Sequence, residues 1–265
     1  MVKVYYNAPA LDKGLDIIEL LALSSEPMTQ AQIASHLNKT VNEIYRMLNT
    51  LKERGYLTFN EKTDQYYLSY KLLTLVSSFN PTKTLIEKAL PAMKEIAAKT
   101  NYSVHLSIYT AGKLLVLAQQ DSPSPFNYHV AVGSTFDLLE TSSGRVLLTF
   151  QSEQERQRRL ERRKLFMKLS KYGKISNTKI KEIEKQYTKK TIHKIKKDGC
   201  EIVKSLQIEG VTNISYPIYD NSSYALAALT IPFIKKIYEK INVRETAKIL
   251  KTYSEKLSNE LGYRC

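Results

Sequence analysis

Along the first third of the chain apolar residues return at three- and four-residue steps, and then the period shortens to two. Leu11, Leu15, Ile18, Leu21 and Ala22 fall on one side of a helix predicted over 12–23. Two shorter helices follow, each with its own start signal. Thr29-Gln30-Ala31-Gln32 is a capping box, in which hydroxyl and amide satisfy the first free backbone N–H groups, and Ala31, Ile33, Ala34 and Leu37 supply the apolar side. Thr40-Val41-Asn42-Glu43 repeats that spacing ahead of a stripe of Val41, Ile44, Leu48 and Leu51, predicted to be buried. Gly55 closes this helix. Residues 56–59 and 65–69 are rich in aromatic and β-branched types and flank the turn formers of 60–64, a hairpin pattern. Three helices and a hairpin outline a winged helix-turn-helix, with the second capped helix as its recognition helix. Thr40 at its start and Asn42, Glu43, Tyr45, Arg46 and Asn49 on its polar face are the candidate DNA contacts, joined by Lys52 further along.

Beyond the wing, 71–78 reads as a short helix and Phe79-Asn80-Pro81-Thr82 as punctuation, so the domain linker is expected here. A longer helix over 83–99 buries Leu85, Ile86, Ala89, Leu90, Met93, Ile96 and Ala97, with Pro91 kinking it or starting a new segment. Alternation then takes over. Strands are expected at 102–109 and 113–119 around Thr110-Ala111-Gly112, and extended structure again from Phe126 to Val132. Thr141-Ser142-Ser143-Gly144 opens a short helix whose hydroxyls and free N–H groups make an anion-binding start. Two basic helices, roughly 153–171 and 178–197, lead to strands at 201–203, 212–219 and 224–232 and to a closing amphipathic helix over 242–261. The order predicts an α+β chain: residues 1–70 a winged helix-turn-helix domain, 71–84 a helical linker, and 85–265 a mainly antiparallel domain that binds an effector and oligomerises.

Composition narrows the reading. A length of 265 residues is long for one core, and 43% apolar content is enough for two. The longest apolar runs fall short of a membrane span, and residues 1–7 lack the apolar segment and cleavage site of a secretory leader, so no membrane and a cytoplasmic location are expected. Cys200 and Cys265 lie far apart and form no Cys-x-x-Cys pair, which suits a reducing compartment. The net charge of +14 does not point to the helix-turn-helix. Residues 1–75 hold 8 Lys and Arg against 8 Asp and Glu, whereas residues 151–200 hold 17 against 6. The excess reads first as a pair of solvated surface helices, and as a non-specific electrostatic aid to DNA binding only if they lie near the duplex.

Catalytic and metal chemistry find no foothold. His36 suits a capping or packing role at a helix end, His105 and His129 fall on expected strands within reach of a pocket, and His193 sits in the basic run. No Cys or carboxylate cluster accompanies them, so no metal and no cofactor is expected. Ser142-Ser143-Gly144-Arg145 lacks the spacing of a nucleophile elbow, and no phosphate-binding glycine loop occurs, which argues against an enzyme.

From about Ala10 to the closing helix the chain resembles the IclR family of bacterial transcriptional regulators. Residues 11–21 look like that family's opening helix, 44–51 like its recognition-helix core, and 66–69 like the end of its wing. Gly133 with residues 136–148 is similar to the segment that bounds its effector pocket, and 210–220 to a later strand. The chain departs from the family pattern in carrying Arg145 for Lys, and in lacking Pro and His near Asp137 and Leu139 and acidic residues near Ser205 and Leu206. The resemblance implies a repressor or activator of a metabolic operon that binds an operator as a homodimer or homotetramer and answers to a small, often carboxylated metabolite, a carboxylate or sugar acid. It places Thr141, Ser142, Ser143, Gly144, Asn213 and Thr230 around that effector. The alternative is a DNA-binding protein whose second domain only oligomerises.

Overall fold

The computed structural model describes residues 8–24, 26–78, 82–169, 182–185, 187–237 and 241–264. The chain divides into two compact units between Pro81 and Thr82, so the short helix α4 (Lys71–Ser78) belongs with the first.

In the first unit, α1 (Pro9–Leu23), α2 (Gln30–His36) and α3 (Val41–Glu53) precede a sheet of β1 (Met28–Thr29), β2 (Leu57–Asn60) and β3 (Gln65–Leu68), in the order β1-β3-β2. Both capping boxes form. Thr29 Oγ1 accepts the Gln32 N–H at 3.3 Å, while Gln32 Oε1 accepts the Thr29 N–H at 2.8 Å. The core joins Ile17 and Leu21 of α1 to Ile33, Ala34, Ile44, Leu48, Leu57 and Tyr66. Three expectations change here. The buried side of α1 centres on Ile17 and Leu21, leaving Leu11, Leu15 and Ala22 exposed. Ala31 of α2 is exposed. Val41 is 44% exposed at the first residue of α3, and the buried stripe of that helix begins at Ile44. Gly55, at φ +72°, follows the cap of α3 in the left-handed region that glycine tolerates. At the start of α4, the Lys71 ammonium lies 4.7 Å from the Tyr56 ring centre and donates to the Arg54 carbonyl.

The second unit is built on a six-stranded antiparallel sheet in the order β6-β5-β4-β9-β8-β7, from β4 (Val104–Thr110), β5 (Lys113–Gln120), β6 (Thr135–Asp137), β7 (Glu201–Lys204), β8 (Val211–Tyr219) and β9 (Ala225–Ile234). Around it pack α5 (Lys83–Thr100), α6 (Ser142–Thr149), α7 (Glu153–Leu169), α8 (Lys189–Asp198) and α9 (Val243–Glu260). One face of the sheet, with Val104, Leu106, Ile214, Ile218, Leu229 and Ile231, packs on Met93 and Ile96 of α5 and on Leu250 and Leu257 of α9. Each such side chain, fully buried, contributes about 1.5–3 kcal/mol. Pro91 sits inside α5 and does not end it, and Leu90 on the same helix is exposed where burial was expected. The β4–β5 hairpin turns on Ala111 (φ +44°) and Gly112 (φ +93°), the pair of left-handed residues that a two-residue turn with strand-matching twist requires.

Among the described residues, α6 covers the middle of the opposite face. Two further expectations fail on this side. Residues 126–132 form no strand; the strand beside β5 is β6, which pairs with Lys113–Leu115 and sets Leu114 opposite Phe136. The second basic helix does not run unbroken to 197: helical residues 182–185 stop before Tyr187, and α8 starts afresh at Lys189 under a Thr188 cap. The expected end of the first basic helix at 170–171 and start of the second at 178–181 lie outside the described residues. Nor is the basic segment simply solvated. Arg156 and Arg163 of α7 turn inward, Arg163 being 1% exposed with Nε 2.6 Å from Asp137 and Nη1 3.2 Å from Glu184.

Candidate functional site

The residues expected to meet DNA and effector fall in two places. The first is the outward side of α3. Its start is held rigidly: Glu43 Oε2 accepts the Thr40 N–H at 2.9 Å, Thr40 Oγ1 accepts the Glu43 N–H at 3.3 Å, and the Gln30 side-chain amide donates to the Val41 carbonyl at 3.0 Å. Lys13 of α1 completes the set by pairing with Glu43 at 3.0 Å. These bonds, the Thr40 N–H first and then Lys13, hold the Glu43 carboxyl down to about 2. Of the six residues expected to face DNA, Asn42, Tyr45 and Arg46 stand exposed and Asn49 half-exposed on this side. Thr40 and Glu43 are engaged in the cap, so Glu43 is not free to meet a base. The Arg46 guanidinium has no hydrogen bond or ion pair among the described residues. Lys52 leans on the Phe59 ring, 5.3 Å from its centre, at the far end of the helix.

The second place lies between the sheet and the N-terminus of α6. Directly opposed residues on five neighbouring strands form one polar row across the sheet: Gln119, His105, Thr230, Ser215 and Glu201. Against that row α6 sets its first turn. Ser142 Oγ lies 2.7 Å from Ser215 Oγ, Ser143 Oγ 2.7 Å from Thr230 Oγ1, and Ser215 2.8 Å from Thr230, a continuous chain of four buried hydroxyls. At the end of the row, Arg145 Nε reaches both oxygens of Glu201 at 3.0 and 2.9 Å, and its Nη1 donates to the Leu139 carbonyl at 2.7 Å. Burial pushes the Glu201 carboxyl up, against the pull of Arg145.

A cavity of about 40 Å³ opens beside the hydroxyl chain. That volume holds roughly two or three waters. Thr141, Ser142, Ser143, Asn213 and Thr230 line it, together with His105, Tyr128 and Gln207, over apolar walls that include Val116 and Phe136. Gly144 does not, because it serves packing: a Cβ there would stand 2.1 Å from the Leu138 carbonyl oxygen. Thr141 Oγ1 accepts the Gly144 N–H at 3.2 Å and so acts as the helix cap. The N–H groups of Ser142 and Ser143 have no acceptor among the described residues. His105 is buried and its Nδ1 has no partner among the described residues. Burial pushes its pKa down to about 4, so the imidazole is neutral at pH 7. No lysine, arginine, aspartate or glutamate lines the cavity among the described residues. His129, by contrast, pairs with Asp121 at 3.0 Å in the irregular segment after β5. His36 Nδ1 lies 2.9 Å from the Gln32 carbonyl, a local helix contact. Sequence reasoning missed the Ser215 and Gln119 positions of the row and the pairing of Arg145 with Glu201. The available signal was polar residues two apart on strands otherwise rich in apolar types, Asn213 with Ser215 and His105 with Ser107.

No group of three or more His, Cys, Asp or Glu side chains among the described residues is placed to hold a metal ion, and no described helix is long and apolar enough to cross a membrane. A winged helix-turn-helix followed by a sheet domain with a small polar cavity is the architecture of a DNA-binding regulator. Comparison with known proteins agrees: residues 10–61 match the IclR helix-turn-helix domain, and residues 81–259 match the bacterial transcriptional regulator IclR C-terminal domain. The chain belongs to the IclR family of DNA-binding transcriptional regulators, proteins that are not enzymes. It is 23% identical over 232 residues to the HTH-type transcriptional regulator KdgR of Escherichia coli, covering 88% of this chain and 85% of KdgR. It is 23% identical to the regulator BhcR of Paracoccus denitrificans, covering 84% and 76%. Its fold is that of an IclR homolog from Microbacterium hydrocarbonoxydans crystallised with 4-hydroxybenzoate, at TM-score 0.71 and 16% identity over 95% of this chain and 98% of that one. An IclR transcriptional regulator from Alicyclobacillus acidocaldarius superposes at TM-score 0.68 with 18% identity, over 97% of this chain and all of that one.

Proposed function

We propose that this regulator docks α3 in a major groove through Asn42, Tyr45, Arg46 and Asn49, with Thr40 and Glu43 fixing the helix start, and that a small polar metabolite in the cavity at α6 sets its operator affinity. It acts in the cytoplasm as a homodimer or homotetramer on a pseudo-palindromic operator, with half-sites about 10 base pairs or a multiple apart. The observation that carries the effector reading is the set of unsatisfied polar groups around one cavity. The Ser142 and Ser143 N–H groups at a helix start suit a carboxylate or carbonyl oxygen. The Asn213 amide, which has no hydrogen bond among the described residues, and the His105 imidazole suit a second polar group. With no cationic side chain in the described lining, one negative charge is favoured over two. A relative crystallised with 4-hydroxybenzoate, a carboxylate, supports that class. A ligand larger than a few heavy atoms requires lining side chains to move, since the cavity is about 40 Å³.

The test is an operator titration with the full chain in the presence of short hydroxy, keto, sugar and aromatic acids. One class is expected to shift operator affinity at least tenfold, and Asn213→Ala is expected to abolish that shift while leaving effector-free binding unchanged. If no acid alters operator affinity, the second domain only oligomerises. On the DNA side, Arg46→Ala is expected to lower affinity by about 1 to 3 kcal/mol, with relaxed base preference if it meets a guanine edge or a flatter salt dependence if it meets a phosphate. Unchanged binding across a salt series takes Arg46 out of the interface.

A further inference from the structure

The outward side of α3 carries apolar surface that its own unit leaves uncovered. Val41 is 44% exposed and Tyr45 53%, and they stand one turn apart, at the first and fifth residues of the helix. Tyr45 makes no hydrogen bond or ring contact among the described residues. Beside them runs the polar pair Asn42 and Arg46, also one turn apart. The one carboxylate nearby, Glu43, is tied to Thr40 and Lys13. Apart from Lys52 at its far end, what α3 presents is therefore the Arg46 cation, the amides of Asn42 and Asn49 and two neighbouring apolar side chains, the part of the helix that enters the groove in this class of domain.

In a B-form major groove the donors and acceptors of the base edges answer to the amides and the guanidinium. The thymine C5-methyl is the apolar feature of that groove, and it pairs with apolar side chains. We propose that Val41 and Tyr45 read thymine methyl groups, so that each half-site carries two thymines close to the position met by Arg46. The proposal rests on α3 being the DNA-reading helix. Side chains one helical turn apart are separated by about 6 Å at Cβ. Base pairs rise by about 3.4 Å, so the two thymines fall within roughly two base-pair steps of each other. This reading also accounts for a β-branched valine left in water at the helix start, where a polar residue would otherwise serve.

The experiment starts from duplexes selected from a randomised pool with the full-length protein. Each thymine of the selected half-site is then replaced by deoxyuridine, which removes the methyl group and leaves every hydrogen-bonding atom in place. Losing one buried methyl contact is expected to weaken binding roughly fourfold per half-site. The penalty should appear at two nearby positions and be small elsewhere. Val41→Ser, which keeps a good helix-start residue, is expected to erase it at one position, and Tyr45→Gln at the other. If sequence-selective binding is intact but deoxyuridine is tolerated everywhere within twofold, the proposal is overturned and the reading of α3 as the DNA helix survives. If no selective duplex is recovered, that reading itself fails and the proposal with it.

Discussion

Gly144→Ala is expected to abolish cooperative folding of the second unit, a loss above about 4 kcal/mol. The added Cβ would lie 2.1 Å from the Leu138 carbonyl oxygen, 2.7 Å from its carbon and 2.8 Å from its Cα. All three are backbone atoms, so no rotamer change relieves the overlap. Either the loop after β6 or the start of α6 must move, and both are pinned. Leu138 is fully buried, Asp137 accepts the Leu139 N–H at 2.8 Å, and Ser142 and Ser143 are bonded to the sheet. Thermal denaturation of the full-length variant followed by circular dichroism should show the transition of the larger unit missing or shifted down by tens of degrees. A melting temperature within a few degrees of the parent would mean that the loop yields easily and that the close approach is not structural.

The second large effect is expected at Arg145 and Glu201. Both are nearly out of contact with water, with the Arg145 side chain 2% exposed and that of Glu201 10%. Removing one member of such a pair leaves an uncompensated charge, at a cost of about 3 to 5 kcal/mol. The two single variants should differ with pH. In Arg145→Met the orphaned carboxyl can take a proton. Its folded-state pKa, already raised by burial, rises further once the guanidinium is gone, so the penalty is full above that raised value and shrinks as pH falls through it. In Glu201→Ala the guanidinium stays charged at every accessible pH, and the penalty from this site does not ease. The double variant should be milder than the sum of the singles, because no charge is then left buried. Urea denaturation of all four proteins at pH 5 and pH 8 measures this. Additive penalties, or identical pH trends for the two singles, would show that the pair is not energetically coupled.

Local signals carried much of this structure. The two capping boxes of the first unit and the hairpin at Ala111 and Gly112 lie within a few residues of what they organise. They stand where the pattern puts them, as does the start of the closing helix at Asn242. Periodicity failed where more than one face is apolar. Leu11, Leu15, Ile17, Ile18, Leu20 and Leu21 surround most of α1, and only the arrival of α3 and β3 decides that Ile17 goes inside. The alternation of Phe126, Tyr128 and Val130 is strand-like, yet the backbone bonds to β5 begin only at Gly133 and Ser134, opposite Val116, and the pairing strand is β6. Charge misled for a similar reason. Arg163 read as part of a solvated segment because its partner Asp137 lies 26 residues away, and the pairing of Arg145 with Glu201, 56 residues on, left no local trace. The family resemblance drew Thr141, Ser142, Ser143, Asn213 and Thr230 to one region, yet the polar row that supports them comes from five strands at scattered positions, and no single-chain spacing reveals it.

The chain of hydroxyls from Ser142 through Ser215 and Thr230 to Ser143 has no fixed direction. Each member can give one proton and accept another, so the whole series can run either way without moving a heavy atom. A guest that offers an oxygen at one end turns every proton toward it, and a guest that offers an O–H turns them all back. On the proposed reading, a hydroxyl chain of this kind would receive a ketone or an alcohol equally well. Discrimination between an oxidised and a reduced form of the same carbon skeleton would then fall to groups of set polarity, such as the backbone N–H pair of Ser142 and Ser143 and the Asn213 amide.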